Sequence, residues 1–447
     1  MATPVHRKAI ARELEIINDP LTSEERPRIV ELLRELHAAS SLDEFFNLHT
    51  KLLARYLARQ RFRDELESDK RAVQNRLGVL AAQLPKPLGA IGAKQEALAR
   101  LEKAARVQVA LAAHTRAIAD ELVWKTLRYD RAAISVLADG TRVDRLADDG
   151  VGLQAELDEL GALWDRERAF TIHNDLATIL RRGDLTTIRP ETGRIEIREI
   201  KATAKPGANA PQSVRISAAT TLINEGCALD PSTGRTQRLY RLGVKANTFL
   251  RVLAEVIQEA LSSGYAHRLL GSMQHLTVID YRAWAGREDE LGAHDLRVRS
   301  PVGWGPEHKT FEWLASARRM RDRRTSHGNP APLPIFPLDP QVIADLMIGR
   351  LEMRTMMRGD LLEQDLAAHG IDAEVEFGDD RDEVFLRVAR GPVSLVIPPH
   401  LRERLLFELL TPKSMIELVV GTLNLLAAGQ RGQQDILPTE DEVGVWA

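Results

Sequence analysis

Cysteine is nearly absent from this chain of 447 residues, which contains only Cys227. One thiol cannot build an intrachain disulfide framework or a cysteine-rich zinc site. It suits a reducing compartment, and its surroundings, NEGCALDP, are typical of a helix end. No stretch reaches the roughly 20 apolar residues of a membrane helix, and the first residues show no secretory apolar region. These absences predict a cytoplasmic protein that does not contact a membrane.

A strong net charge is also missing. The formal net charge is −3, so no global basic field attracts nucleic acid. Aromatic residues are scarce at 5%, but a hydrophobic content of 44% favours globular structure over disorder. The chain has no glycine-rich phosphate loop, which excludes an ATP motor of that type. Its length predicts two or three domains.

The first 128 residues are predicted to form a helical arm. Ser23 could cap a helix to about Ala39, and Ser41 with Glu44 forms a capping box at the start of a long helix. This helix is predicted over residues 42–84, where Pro85-Lys86-Pro87-Leu88-Gly89 breaks it, and another follows over 93–127. Two such helices would span roughly 50–60 Å and pair antiparallel. The arm could form a homodimer, dock a protein partner, or pack as a simple bundle.

The most informative stretch is GDLTTIRPETGRIEIREIK, from Gly183 to Lys201. Pro190-Glu191-Thr192-Gly193 is a turn signal between two β-prone runs, so the runs are predicted to pair as a hairpin. The hairpin would bring Asp184 beside Glu199 and Lys201. Neighbouring carboxylates favour Mg²⁺, which prefers oxygen ligands, and a lysine can orient or deprotonate a metal-bound water. This combination indicates phosphodiester hydrolysis.

The spacing of these residues resembles the signature of the PD-(D/E)XK nuclease superfamily, which includes restriction enzymes and RecB-like exonucleases. Asp184, Glu199 and Lys201 match the motif, while Gly183 replaces its proline. The resemblance implies that Asp184, Glu199 and the backbone carbonyl of Ile200 bind Mg²⁺ or Mn²⁺. Gln212 and Arg215 resemble the Gln-x-x-Arg of RecB-like members, which implies that Gln212 holds the nucleophile or phosphate and Arg215 contacts DNA.

An upstream helix often supplies a further carboxylate in that superfamily. Glu156 and Glu167 lie near the apolar arc of the helix predicted over 152–166, whereas Glu159 and Asp165 point away from it. Glu156 is therefore the predicted additional metal ligand. His173 follows on the next strand and is read as a structural residue or, alternatively, as a member of the site.

The predicted fold class is α/β within a multidomain α+β chain. A restriction-endonuclease-like αβββαβ core is expected at about 150–285, with its strands in one mixed sheet, inside a nuclease domain of residues 129–330. The helical arm of 1–128 precedes this domain, and a small α+β domain of 331–447 follows it. The last domain is predicted to contain a helix over 340–369, a three-strand meander and two final helices. After a strand predicted at Leu239–Leu242, Asn247 is expected to cap a helix that runs to about Ser262.

The function implied by the resemblance is a metal-dependent nuclease, an endonuclease or an exonuclease, that acts on DNA, with RNA as a further possible substrate, in bacterial anti-phage defence or DNA processing. A basic patch could contact the nucleic acid or be a solvated helix end; it comprises Arg318, Arg319, Arg321, Arg323 and Arg324. Two alternatives stay open. The first is a nuclease-fold module that binds nucleic acid without cutting, and the second is an assembly or regulatory subunit that acts through its arm.

Overall fold

The computed structural model gives a mixed α+β architecture in which a long N-terminal helical hairpin precedes several small sheets. Within the described part of the chain, no helix is long and apolar enough to cross a membrane. The structure describes residues 15–83, 87–138, 151–189, 192–200, 210–241, 246–287, 290–291, 304, 309–315, 333–377, 384–397, 406–429 and 435–439.

Four helices open the described chain: α1 (Pro20–Ala38), α2 (Leu42–Ala81), α3 (Leu88–Thr126) and α4 (Arg131–Ala138). Helix α1 begins earlier than predicted. Asp19 rather than Ser23 caps it, because the Asp19 carboxylate accepts a hydrogen bond from Leu21 N at 3.1 Å and Pro20 suits the first helical position. The predicted capping box is confirmed, since Glu44 N donates to Ser41 Oγ while Ser41 N donates to the Glu44 carboxylate.

Helices α2 and α3 pack together as the hairpin, but only its base belongs to the core. Near the base, Leu52 and Tyr56 of α2 and Leu122 and Trp124 of α3 are fully buried. Between residues 61 and 104, Leu66 and Leu80 are the buried side chains among those described. The far half of the hairpin is therefore two helices that mainly cover each other.

The predicted β-hairpin is present. The elements in order are α5 (Val151–Glu167), β1 (Phe170–His173), β2 (Leu185–Arg189), β3 (Arg194–Arg198) and α6 (Ala210–Glu225). Strands β1, β2 and β3 form an antiparallel sheet in sequence order, and Leu185 of β2 lies opposite Arg198 of β3. This register is the one that the turn residues predict.

The expectation of one mixed sheet over 150–285 is wrong. Strands β4 (Cys227–Leu229) and β5 (Thr236–Arg241) form a separate sheet with a strand at 435–439. Cys227 lies two residues after the end of α6 and is the first residue of β4. One cause is visible at the free edge of β3. The Asn224 side chain of α6 accepts from Ile195 N at 2.9 Å and donates to Ile195 O at 2.7 Å. Backbone groups already bonded to a side chain cannot pair with a further strand there.

The C-terminal half also departs from the prediction. The helix expected over 340–369 is wrong: α8 (Pro340–Ile348) ends early, β9 (Leu351–Arg358) follows, and α9 (Gly359–Ala368) comes after it. Strand β9 lies between two partners in an antiparallel sheet of β6 (Tyr265–Leu270), β7 (Gln274–Asp280), β9 and β8 (Thr310–Ala315). Its alternate residues, Leu351, Met353, Thr355 and Met357, are buried. Leucine and methionine also suit helices, which hides this period-two pattern.

The remaining elements complete the fold. Helix α7 (Leu250–Ser263) is preceded by Phe249 as its N-cap, so Asn247 does not cap it. The predicted meander is confirmed as β10 (Asp372–Phe377), β11 (Val384–Arg390) and β12 (Val393–Ile397), followed by α10 (Pro412–Gly429) and β13 (Asp435–Thr439). The meander packs with α9 and α10 around its own buried cluster.

A larger cluster of buried side chains joins the base of the arm to the two central sheets. It includes Leu52, Trp124, Phe170, Leu276 and Phe407. Side chains from both sides of residues 128 and 330 therefore pack together, and the division into three domains at those points stays a prediction.

Candidate active site

The end of the β2–β3 hairpin brings Asp184 and Glu199 together. Asp184 precedes β2 and Glu199 follows β3, and Asp184 N donates to Arg198 O at 2.8 Å, which extends the pairing to this end. Both residues are half-buried. The Asp184 carboxylate accepts a hydrogen bond from Ile200 N at 2.6 Å. The pairing of the hairpin thus places the two carboxylates at the same end of the sheet.

The conformation of Gly183 excludes a proline at this position. Its φ is +69°, whereas proline is fixed near −65°. A Cβ at this position would lie 2.6 Å from Arg198 O and 2.8 Å from Ile197 Cγ2. The turn into Asp184 therefore requires both a left-handed conformation and the absence of a side chain.

We expect Gly183→Ala to lower the free energy of unfolding by about 2–4 kcal/mol, the sum of left-handed strain and overpacking. Urea denaturation would measure this loss. Gly193→Ala is the matched control, because Gly193 has a φ of +65° but an added Cβ there would meet nothing within 4 Å. It should lose only about 1 kcal/mol. Equal losses in the two variants would contradict the close approach at Gly183.

Acidic groups crowd this end of the sheet. Burial raises the pKa of Asp184 to about 6; the hydrogen bond from Ile200 opposes the rise, and repulsion by Glu156, Glu199 and Asp175 adds to it. Burial also raises the pKa of Asp175, against the attraction of His173 and Arg116. A cation bound among carboxylates that lie so close together relieves their mutual repulsion and stabilises their charged forms.

The raised pKa of Asp184 predicts a pH-dependent stability. The folded state holds this proton more tightly than the unfolded chain, so the stabilisation is complete below about pH 4 and is lost as pH rises to about 6. Asp184→Asn mimics the protonated acid and can still accept from Ile200 N. In EDTA, the free energy of unfolding of Asp184→Asn, relative to that of the parent, should rise by about 1–2 kcal/mol as the pH goes from about 4 to about 7. This figure is discounted for solvent screening.

Urea denaturation of both proteins across this pH range measures the difference. Glu167→Gln provides a control of opposite sign, because the hydrogen bond from Arg189 lowers the pKa of Glu167. That variant should lose more stability at high pH than at low pH. A pH-independent difference between the parent and Asp184→Asn would show that the Asp184 carboxyl titrates normally.

Helix α5 contributes Glu156 to the same region. Its Oε2 lies 2.7 Å from Nε2 of His173, whose side chain is 1% exposed. Glu167 instead pairs with Arg189 at 2.6 Å. The prediction that Glu159 points away is wrong, since Glu159 reaches Arg198 of β3 at 2.8 Å; the long arginine side chain extends to the helix that covers its strand. The upstream carboxylate beside Asp184 is therefore Glu156.

Two other predicted residues form no bond to the carboxylates within the described part of the chain. Gln212 and Arg215 lie exposed at the start of α6, and in the described part of the chain neither forms a hydrogen bond or ion pair with Asp184 or Glu199. Lys201 lies outside the described residues. The basic patch lies outside them too, with Arg318, Arg319, Arg321, Arg323 and Arg324.

The carboxylate oxygens at this end of the sheet suit a hard divalent cation held by few protein ligands. Among the residues that the structure describes, no group of three or more His, Cys, Asp or Glu side chains is placed to hold one metal ion. Mg²⁺, however, usually keeps several waters and takes one or two carboxylates together with substrate phosphates. The carboxylates of Asp184 and Glu199 supply the kind and number of protein ligands that such a site takes.

Two residues beside the site, Asn174 and His49, were not predicted from the sequence. Asn174 Nδ2 donates to Arg182 O at 2.6 Å and to Gly183 O at 3.1 Å, and His49 Nε2 accepts from His173 N at 3.1 Å. The polar run His-Asn-Asp at the end of a buried strand is a sequence signal that indicates Asn174. His49 lies on α2, far away in sequence, and carries no such signal.

Comparison of the chain with protein families, with curated proteins and with solved structures found no significant match.

Proposed function

We propose that this protein is a divalent-metal-dependent nuclease that hydrolyses phosphodiester bonds of DNA with Mg²⁺ or Mn²⁺. The observation that carries the proposal is the antiparallel β2–β3 hairpin, which holds Asp184 and Glu199 at one end of a sheet. Nearby Glu156 and Asp175 add to the negative charge there. Carboxylates gathered on a rigid sheet favour a cation that can act on a phosphate.

Each residue has a role in this proposal. Asp184, Glu199 and the carbonyl of Ile200 hold the cation, which when bound polarises the scissile phosphate and lowers the pKa of a coordinated water. Lys201 follows directly in the chain and offsets the charge that develops on the phosphate. Glu156, held by His173, would be a further carboxylate ligand of the cation. Gln212 and Arg215 act on the DNA backbone at the start of α6.

A second candidate function is nucleic-acid binding without cleavage. It is favoured by the absence, within the described residues, of three acidic or imidazole groups placed around one metal position. In that case the arm, α2 with α3, would serve to dock a protein partner or a second copy. A cytoplasmic location and a part in bacterial anti-phage defence belong to the proposal of a nuclease.

Incubation with supercoiled plasmid, linear duplex and single-stranded RNA tests the proposal. The expected result is cutting of DNA in Mg²⁺ or Mn²⁺ that EDTA stops and that Asp184→Ala lacks. Cutting of the closed circle identifies an endonuclease, and cutting confined to the linear duplex an exonuclease. Binding of DNA without cutting in either metal would support the second candidate and overturn the first.

A further inference from the structure

We infer that the dipeptide His173–Asn174 at the end of β1 positions both acidic elements of the site: the loop that carries Asp184 and the side chain of Glu156. This inference rests on the proposed nuclease function and names the residues that hold its geometry. His173 and Asn174 are each 1% exposed. Neither is proposed to touch the substrate or the cation.

Asn174 holds three consecutive residues of the loop. Its Nδ2 donates to Arg182 O at 2.6 Å and to Gly183 O at 3.1 Å, and its backbone N donates to Asp184 O at 2.9 Å. Two carbonyl acceptors require an amide donor, so an aspartate in this place would repel the loop. These bonds fix the left-handed turn at Gly183 and hence the direction in which the chain enters Asp184.

The Asn174 carbonyl oxygen indicates that stability alone does not account for this residue. Its Oδ1 is buried and, within the described residues, accepts no hydrogen bond. An unpaired buried acceptor weakens a fold, and such groups call for an explanation other than packing. Control of the loop conformation supplies one, because the two donors on the same amide meet the two loop carbonyls.

His173 holds the second acidic element. Its Nε2 lies 2.7 Å from the Glu156 carboxylate, and its backbone N donates to Nε2 of His49 on α2. Burial, with a smaller effect of His173, lowers the pKa of His49 to about 3, so the His49 ring stays neutral and can accept that bond. The base of the arm thereby anchors the dipeptide from behind.

Strand geometry explains how one dipeptide reaches two elements. Side chains of consecutive strand residues leave on opposite sides. His173 turns to the side covered by α5, where Glu156 lies, and Asn174, just past the strand end, reaches the loop before β2. A shift of this dipeptide therefore moves Glu156 and Asp184 relative to each other.

Asn174→Ala, compared with Asn224→Ala, tests the inference on the intact chain. Asn224 is a matched control because its carboxamide also makes two backbone hydrogen bonds, to Ile195 at the far end of the same sheet. Asn174→Ala should lower kcat for DNA cleavage by about 10²-fold, as expected for a displacement of roughly 1 Å. The KM for DNA should change little, and the Mn²⁺ concentration for half-maximal rate should rise. Asn224→Ala should keep the parent kcat at a comparable melting temperature.

A second pair addresses His173. Gln in its place can still donate to Glu156, whereas Leu cannot, so His173→Gln should retain most of the rate that His173→Leu loses. Asn174→Ala cleaving like the parent, while Asp184→Ala is inactive, would overturn the inference and leave the proposed function standing. Equal loss of kcat in Asn174→Ala and Asn224→Ala would show a merely structural role. A parent protein that cuts no DNA in Mg²⁺ or Mn²⁺ would overturn the proposed function, and the inference with it.

Discussion

Replacing Asp184 with asparagine is expected to lower the rate of DNA cleavage by at least about 10³-fold, because a cation acting on the phosphate contributes several kcal/mol to the transition state. The substitution removes one anionic oxygen ligand from a site that has few. The fold should persist, because asparagine keeps the shape of the side chain and can accept the hydrogen bond from Ile200 N. Activity and stability are thus expected to move in opposite directions at this position.

Lys201→Ala completes the test, because it should lose cleavage without losing the cation. Calorimetric titration with Mn²⁺ should show weakened binding for Asp184→Asn and parent-like binding for Lys201→Ala. Glu196→Gln is the control: it removes a carboxylate from β3 whose side chain is 41% exposed and which pairs with Arg189 and Arg198 instead. It should cut like the parent. Cleavage by Asp184→Asn at the parent rate would place the chemistry elsewhere in the chain.

The hairpin could be predicted from the sequence because its determinants are local. A turn signal at Pro190–Gly193 and alternation in Ile195 and Ile197 fix which residues face each other. The meeting of Asp184 and Glu199 then follows from the register. The capping box at Ser41 is predictable for the same reason, since its partners lie three residues apart.

The rest depends on distant packing. Whether β3 accepts another strand is decided by Asn224, almost 30 residues further along the chain. Whether 351–358 is strand or helix is decided by its two neighbours in the sheet, since its leucine and methionines suit either state. The His49–His173 contact joins the arm to the site over a separation of 124 residues. No period or motif marks such pairs in advance.

Several unfavourable features gather at the same end of the sheet. Asp184 lies among three other carboxylates, Gly183 adopts a left-handed conformation, and within the described residues both His173 Nδ1 and Asn174 Oδ1 are buried without partners. The crowded carboxylates and the unpaired polar atoms lower the stability of the fold, while the left-handed turn restricts position 183 to glycine. Their coincidence is more readily explained by a site that needs this geometry than by packing, because strain and unpaired polar groups concentrate where function requires them.

The second large effect is expected where α1 contacts the arm: Glu25→Gln should lower the free energy of unfolding by about 3–5 kcal/mol. Glu25 of α1 is 3% exposed and forms ion pairs with Arg55 and Arg59 of α2, each 18% exposed. Arg55 and Arg59 are four residues apart, so they share one helix face. Burial, with a smaller effect of repulsion by Arg59, lowers the pKa of Arg55 to about 10, because both disfavour the charged guanidinium.

The cost arises because neutral glutamine leaves two poorly hydrated cations without an anion. Urea denaturation of Glu25→Gln measures it, and Glu35→Gln is the control, because Glu35 pairs with Lys51 at 2.8 Å on the surface. An exposed pair contributes only about 0–1 kcal/mol. Replacing Arg55 and Arg59 by methionine in the Glu25→Gln background should restore much of the lost stability, since apolar side chains of similar length need no counter-charge. A loss in Glu25→Gln as small as that in Glu35→Gln would mean that water reaches the two arginines and that α1 is held to the arm by apolar packing alone.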